Sequence, residues 1–137
     1  MNDKDVLYRY LQQNKHMALA TVTATGRPEV ATVEYLLDGE DLLMSTYVQY
    51  RKYQNLLSDG HIAAVITTGH EKTLQLEGIA SELENEAVAE AKSKLLNFEP
   101  DFAAYFDENT RFFQIRLTWM RLRDYTQESL QITEVTF

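Results

Sequence analysis

Three apolar, β-branched segments follow one another through links too short to hold a helix. Met17–Thr23 (MALATVT), Glu29–Leu37 (EVATVEYLL) and Leu42–Thr46 (LLMST) read as strands. Ala24-Thr25-Gly26-Arg27-Pro28 separates the first two, and Asp38-Gly39-Glu40-Asp41 the next pair. Both links are turns by their Gly and Pro content. A parallel pair needs a crossover of a dozen or more residues, so these strands form an antiparallel meander.

The rest of the chain extends that pattern. Val6, Leu7, Tyr10 and Leu11 lie on one helical face. The spacing predicts a helix from Asp3 to Asn14, capped by Asn2 or Asp3. Tyr50–Ser58 reads as a short helix ending at Asp59-Gly60, with Gly60 as its C-cap. His61–Thr67 is a buried strand and Thr68–Lys72 a turn. Thr73–Leu83 alternates as a strand, and Gly78 inside it marks a bulge or a close backbone approach. Asn85–Asn97 is a helix with Val88, Ala91 and Leu95 on one face. Phe98–Asp107 is a short helix packing through Phe102, Tyr105 and Phe106. Phe113, Ile115, Leu117 and Trp119 alternate along a long strand. The phase shifts at Met120 and Leu122, which predicts a bulge near Trp119. Leu130–Val135 is the last strand. The sum is a mainly β fold, a small antiparallel barrel with peripheral helices, in a single domain over residues 1–137.

Charge and composition narrow the function. The 137 residues hold 21 acids against 13 bases, a net charge of −8. Such a chain offers a local basic spot but no footprint for a nucleic acid. It has no cysteine, which removes disulfides, thiolate catalysis and cysteine-based metal sites. His16, His61 and His70 are widely spaced, so no metal site is expected, and none has the partners of a catalytic triad. Glu82, Glu84, Glu86 and Glu90 read as a solvated face. The N-terminal MNDKDVLYRYLQQNK is not a signal peptide, and no window reaches the roughly 18 apolar residues of a membrane span. A cytoplasmic protein with no membrane partner is the expectation.

The most informative stretch is Ser45-Thr46-Tyr47-Val48-Gln49-Tyr50-Arg51-Lys52. A strand ends in two hydroxyls, and a helix then starts on two cations. Free N–H groups at a helix start, hydroxyls and adjacent cations suit a phosphate dianion. Arg51 and Lys52 are also misplaced for the helix dipole, a conflict that an anionic ligand relieves. On spacing alone, a solvated surface pair accounts for the same residues. Tyr47, Tyr50 and Tyr53 recur every three residues beside this spot, either packing under the helix or facing a ligand. Trp119 is a core residue by its alternation, or else a ring that stacks on a ligand or lines an interface.

The order of these motifs carries a resemblance. MALATVTATGRPEVATVEY, LLMST, YRKYQNL and LQLEG, with FFQIRLTWMRL as the last core strand, resemble the pyridoxamine 5′-phosphate oxidase-like, FMN-binding split-barrel superfamily. The resemblance implies a split antiparallel β-barrel that binds FMN. Thr46, Arg51 and Lys52 match the residues that hold the FMN phosphate, with Ser45 and Gln49 beside them. Thr32 and Val33 match positions whose backbone lines the isoalloxazine ring. Thr73, Leu74 and Gln75 match a segment whose side chains reach a flavin, and Trp119 joins them as a stacking candidate. The family further implies a homodimer with flavin sites at the interface, and oxidoreductase activity on a small molecule. The chain departs from the oxidase form. It has Val30–Tyr35 (VATVEY) where that form has a basic strand, and it ends at Phe137 without the segment that holds a substrate phosphate. Oxidation of pyridoxamine phosphate itself is therefore not expected. A flavin-binding or stress-related module without turnover, and a split-barrel relative that holds a deazaflavin or haem, are the alternatives. For haem, His16 or His61 would supply the axial ligand.

Overall fold

Eight strands, all antiparallel, make one sheet in the computed structural model, which describes residues 1–137. They are β1 His16–Val22, β2 Pro28–Glu34, β3 Leu36–Asp38, β4 Asp41–Tyr47, β5 His61–Thr68, β6 Lys72–Glu82, β7 Thr110–Asp124 and β8 Gln131–Thr136. The helices are α1 Asp3–Gln12, α2 Arg51–Ser58 and α3 Glu86–Phe98, followed by a 3₁₀ turn over Pro100–Ala104. The hydrogen-bonded path runs β2-β1-β5-β6-β7-β4-β3, with β8 added to β7. The sheet curls so that β2 passes beside β4 without pairing to it. The fold is a split barrel. No helix is long and apolar enough to cross a membrane.

The split begins at Tyr35. The strand expected over Glu29–Leu37 is two strands, because the chain breaks there. The Tyr35 side chain turns inward, is 1% exposed, and donates its hydroxyl to the Leu11 carbonyl at 2.9 Å. Burial pushes that phenol far above its ordinary value. The Tyr35 amide binds the Lys15 carbonyl instead of a neighbouring strand. The first three expected strands are thus not one meander. They are two hairpins, β1–β2 and β3–β4, that diverge at this residue.

The main core lies inside the barrel. α1 starts at Asn2, whose Oδ1 accepts from the Asp5 amide at 2.9 Å, as expected of a cap. It lays Leu7, Tyr10 and Leu11 into the core beside Met17, Leu74 and Met120. Leu7 and Leu11 are fully buried, each stabilising the fold by about 1.5–3 kcal/mol through apolar burial. A second, smaller core joins α3 to the outside of β4 and β7 through Leu43, Ala91, Leu95 and Phe112. Phe102 and Phe106 stack there, their centroids 5.4 Å apart, and Phe106 meets Phe112 edge-on at 5.1 Å. Tyr105 stays exposed.

Two sequence signals meet at one bulge. The β6–β7 register pairs Glu77 with Trp119 but Gly78 with Leu117, so Thr118 is the extra residue. The bulge expected near Trp119 and the irregularity expected at Gly78 are the same feature. Gly78 is needed because a Cβ there would lie 2.6 Å from the Arg116 carbonyl oxygen. Across this bend β7 changes partner, with Thr110–Arg116 paired to β4 and Trp119–Asp124 to β8. Gly60 differs from its expected role. Asp59 closes α2 in extended conformation, and Gly60 is small because a Cβ would meet the Ala80 carbonyl oxygen at 2.4 Å. Glu82 also departs from the solvated face, since it accepts from the Tyr53 hydroxyl at 2.8 Å.

Four surface carboxylates sit below their ordinary range: Glu29 through Asn55 and Arg51, Asp59 through His61, Asp124 through Thr126, and Glu134 through Arg121. A depressed carboxylate contributes stability above its unfolded value and loses it as pH falls through the folded one. The melting temperature should therefore hold between about pH 7 and pH 5 and fall below the ordinary values of 4.5 and 3.8. Glu134 is exposed and the other three are half-buried at the surface, where solvent screens them, so each contribution is small. Thermal unfolding followed against pH checks the sign, and a rise in stability below about pH 4 would contradict it.

Candidate functional site

The split between β2 and β4 opens as a groove. Its first part is a cavity of about 510 Å³ walled by Thr32, Val33 and Glu34 of β2 and by Ser45, Thr46 and Tyr47 of β4. The far wall is the end of α3 and the turn after it, with Leu95, Glu99, Phe102 and Tyr105. A second cavity of about 410 Å³ adjoins it across Tyr50 and Lys52, and takes in Glu29, Gln49 and Arg51. Only one edge of β2 is paired, to β1. Its other edge runs beside the groove and leaves backbone donors and acceptors for a ligand.

The polar focus is Thr46 and Lys52. Thr46 is 4% exposed, and its hydroxyl has no hydrogen-bond partner. A buried unpaired hydroxyl is costly unless something fills its place. Lys52 is half-buried, forms no ion pair, and has its pKa lowered by desolvation. Its ammonium stands 4.7 Å from the Tyr50 ring centroid, and Tyr47 meets Tyr50 edge-on at 5.2 Å. The Tyr47 hydroxyl donates to the Tyr105 carbonyl, tying the β4 end to the far wall. α2 begins at Tyr50 with no side-chain cap and no acid in its first turn. A helix N-terminus, an orphaned hydroxyl and an unpaired ammonium are the donor set of a phosphate cradle. FMN phosphate fits these residues.

The other expected residues divide. Thr32, Val33, Ser45, Thr46 and Lys52 share the first cavity, while Gln49 and Arg51 line the second. Val33 is 6% exposed with its side chain in the core, so its backbone faces the groove. Thr73, Leu74, Gln75 and Trp119 line neither cavity. Leu74 is fully buried in the main core, so its side chain reaches no flavin. Thr73 and Gln75 are on the opposite face of β6, outside the barrel. Gln75 follows Thr32, Ala18 and Val65 in a cross-strand row, three strands and roughly 14 Å from Thr32. Trp119 also lies on the outside rather than in the core, with the Arg121 guanidinium 5.1 Å from its ring centroid.

Sequence reasoning missed Glu29 and Asn55. The Glu29 carboxylate binds Arg51 Nη1 at 2.7 Å and accepts from Asn55 Nδ2 at 2.8 Å. The signals were available: Asn55 is a polar residue on the buried face of α2, and Glu29 shares the phase of inward-facing Val33. Also missed were the carboxylates Glu34 and Glu99, held by His16 at 3.4 Å and Lys15 at 3.6 Å. His61 lies elsewhere, paired with Asp59 at 2.7 Å.

A split antiparallel barrel with peripheral helices and an open groove between β2 and β4 is the class that the fold defines. Residues 4–124 match the family model described as Pyridoxamine 5′-phosphate oxidase, and the chain belongs to that family. No curated protein matches the sequence. Among solved structures, a haem-binding protein from Mycobacterium smegmatis superposes with a TM-score of 0.84 at 19% identity, covering 99% of this chain and 58% of its own. HutZ, the haem storage protein of Vibrio cholerae, gives 0.73 at 17% identity, over 96% of this chain and 95% of its own. PhzG from Burkholderia lata 383, solved with tetrahydrophenazine-1-carboxylic acid, gives 0.64 at 15% identity, over 97% and 91%. At these identities the likeness is one of fold.

Proposed function

We propose that this chain is an FMN-binding flavoprotein, an oxidoreductase for a small molecule that works as a homodimer. The observation that carries the reading is the unpartnered Thr46 hydroxyl beside the ion-pair-free Lys52, at the mouth of a groove along the free edge of β2. Thr46 donates a hydrogen bond to the phosphate, and Lys52 neutralises it. The backbone at Thr32 and Val33 meets the polar edge of the ring. The Tyr47–Tyr50 pair and Phe102 shield the groove from water. The bound flavin supplies hydride or electron transfer.

The dimer reading accounts for Thr73, Gln75 and Trp119. One chain does not bring them to Thr46, so they serve a flavin only from a second copy. The outer face offers a contact of small side chains, with Val30, Ala20 and Ala63 in one cross-strand row, Ala18 two residues along β1, and Val30 71% exposed. Association through small, uncharged side chains suits such a face.

The test is a visible spectrum of the purified protein before and after adding FMN, with sedimentation to read its mass. A flavin spectrum on a dimer supports the reading, and a colourless protein that ignores FMN removes it. Reduction of the bound flavin by NADH or NADPH separates an enzyme from a module without turnover. A second reading, haem, is favoured by one placement: His16 lies against Glu34, which lines the first cavity. A Soret band lost in His16→Ala would favour it over flavin.

A further inference from the structure

We propose that Glu29 is a positioning and specificity-determining residue, which makes the anion site selective for a single phosphate group. The inference rests on the flavin reading above and assigns which flavin the groove takes.

Both carboxylate oxygens are committed. Oε2 accepts from Arg51 Nη1 at 2.7 Å, and Oε1 accepts from Asn55 Nδ2 at 2.8 Å. Asn55 is 6% exposed, and its amide also donates to Thr21 Oγ1 at 3.0 Å; Thr21 is 5% exposed. The carboxylate is therefore anchored from the barrel interior. The Arg51 side chain, by contrast, is 85% exposed. A fixed group orients a free one, and the arginine is drawn into the second cavity rather than toward Thr46. Asn55 faces the interior without adding to the apolar core, and holding Glu29 explains its presence.

The charge consequence is specific. Arg51 and Lys52 bring two cations to the start of α2, and Glu29 offsets one. One phosphate between Thr46 and Lys52 is well matched. A second phosphate would extend past Lys52 into the adjoining cavity, where Arg51 is already compensated by Glu29 and leaves no free positive charge to receive it. Binding there would have to desolvate the second phosphate against a neutral ion pair, a cost that rejects the larger anion. FMN, with one phosphate, fits this arrangement, whereas FAD, with a diphosphate and a nucleoside, does not.

The experiment compares riboflavin, FMN and FAD on the wild-type chain and on Glu29→Gln, by flavin fluorescence titration. The variant should bind FAD about tenfold more tightly, FMN about threefold more tightly, and riboflavin unchanged. An equal change for all three flavins would overturn the proposal. Inorganic phosphate and pyrophosphate, followed by the NMR shift of Arg51 Nε, read the same site without any flavin. If no flavin binds, the flavin reading falls, and the pyrophosphate-to-phosphate preference still decides the role of Glu29. That preference should rise about tenfold in Glu29→Gln; no change overturns the role. Glu29→Ala removes charge and contact together. It should shift the same preference in the same direction, and a loss of phosphate affinity without that shift would mean that Glu29 only places Arg51.

Discussion

Lys52→Ala should weaken FMN binding by roughly 10- to 100-fold while leaving riboflavin binding nearly unchanged. The estimate is the loss of one hydrogen bond to a charged group, about 1.5–3 kcal/mol. Lys52 carries more of this than Arg51 does, because Arg51 arrives already bound to Glu29 at 2.7 Å while Lys52 has no carboxylate partner. The cost of desolvating the ammonium is present in the free protein and is recovered when a phosphate arrives. Binding should also weaken as pH rises toward Lys52's pKa, which lies below the ordinary lysine value of 10.5. Arg51→Ala should cost less than Lys52→Ala. Isothermal titration of FMN into each variant measures the order, and equal losses for riboflavin and FMN with Lys52→Ala would remove Lys52 from the phosphate site.

Gly78→Val should destabilise the fold by about 3 kcal/mol or more, the upper end of the overpacking range. Even a single added carbon would lie 2.6 Å from the Arg116 carbonyl oxygen and 2.9 Å from Ile115 Cγ2. The first of these is backbone inside a paired strand, so it has little room to yield. Gly26→Ala is the informative contrast. Gly26 has open space around it but a φ of +87°, so its cost is the conformational one of about 1 kcal/mol. Urea unfolding of the two variants separates packing from backbone strain. A Gly78→Val protein as stable as wild type would mean that the bulge shifts freely along β7.

Much of this fold could be read locally. Alternation places Leu74 and Leu76 inward, Asn2 caps α1, and Gly78 with the phase change after Trp119 marks the bulge. The break at Tyr35 could not be read that way. Val33, Tyr35 and Leu37 keep one alternating phase, so nothing local ends the strand. The break is set by a hydrogen bond to the Leu11 carbonyl, 24 residues away. Gly60 misled for a similar reason: its smallness answers Ala80, a neighbour in space. In the site, Thr46 and Lys52 were legible because hydroxyl, helix start and cation are close in sequence. Glu29 was not, because its role depends on α2 folding back over β1 and β2. Thr73 and Gln75 were legible as motif positions, but the pairing path sets them three strands from Thr32.

The walls of the groove are neighbours in space and near-opposite ends of a path. From β2 to β4 the hydrogen-bonded route passes through β1, β5, β6 and β7. The aperture is therefore a closure error, the sum of the small rotations taken at every step around the ring. Each strand pair contributes a twist of roughly 20–25°, so a change of a few degrees at one distant pair is delivered undiluted at the gap. Substitutions on β5 or β6 that touch no ligand can widen or narrow the slot. Among barrels of this shape, selectivity can drift through remote strands while Thr46 and Lys52 stay as they are.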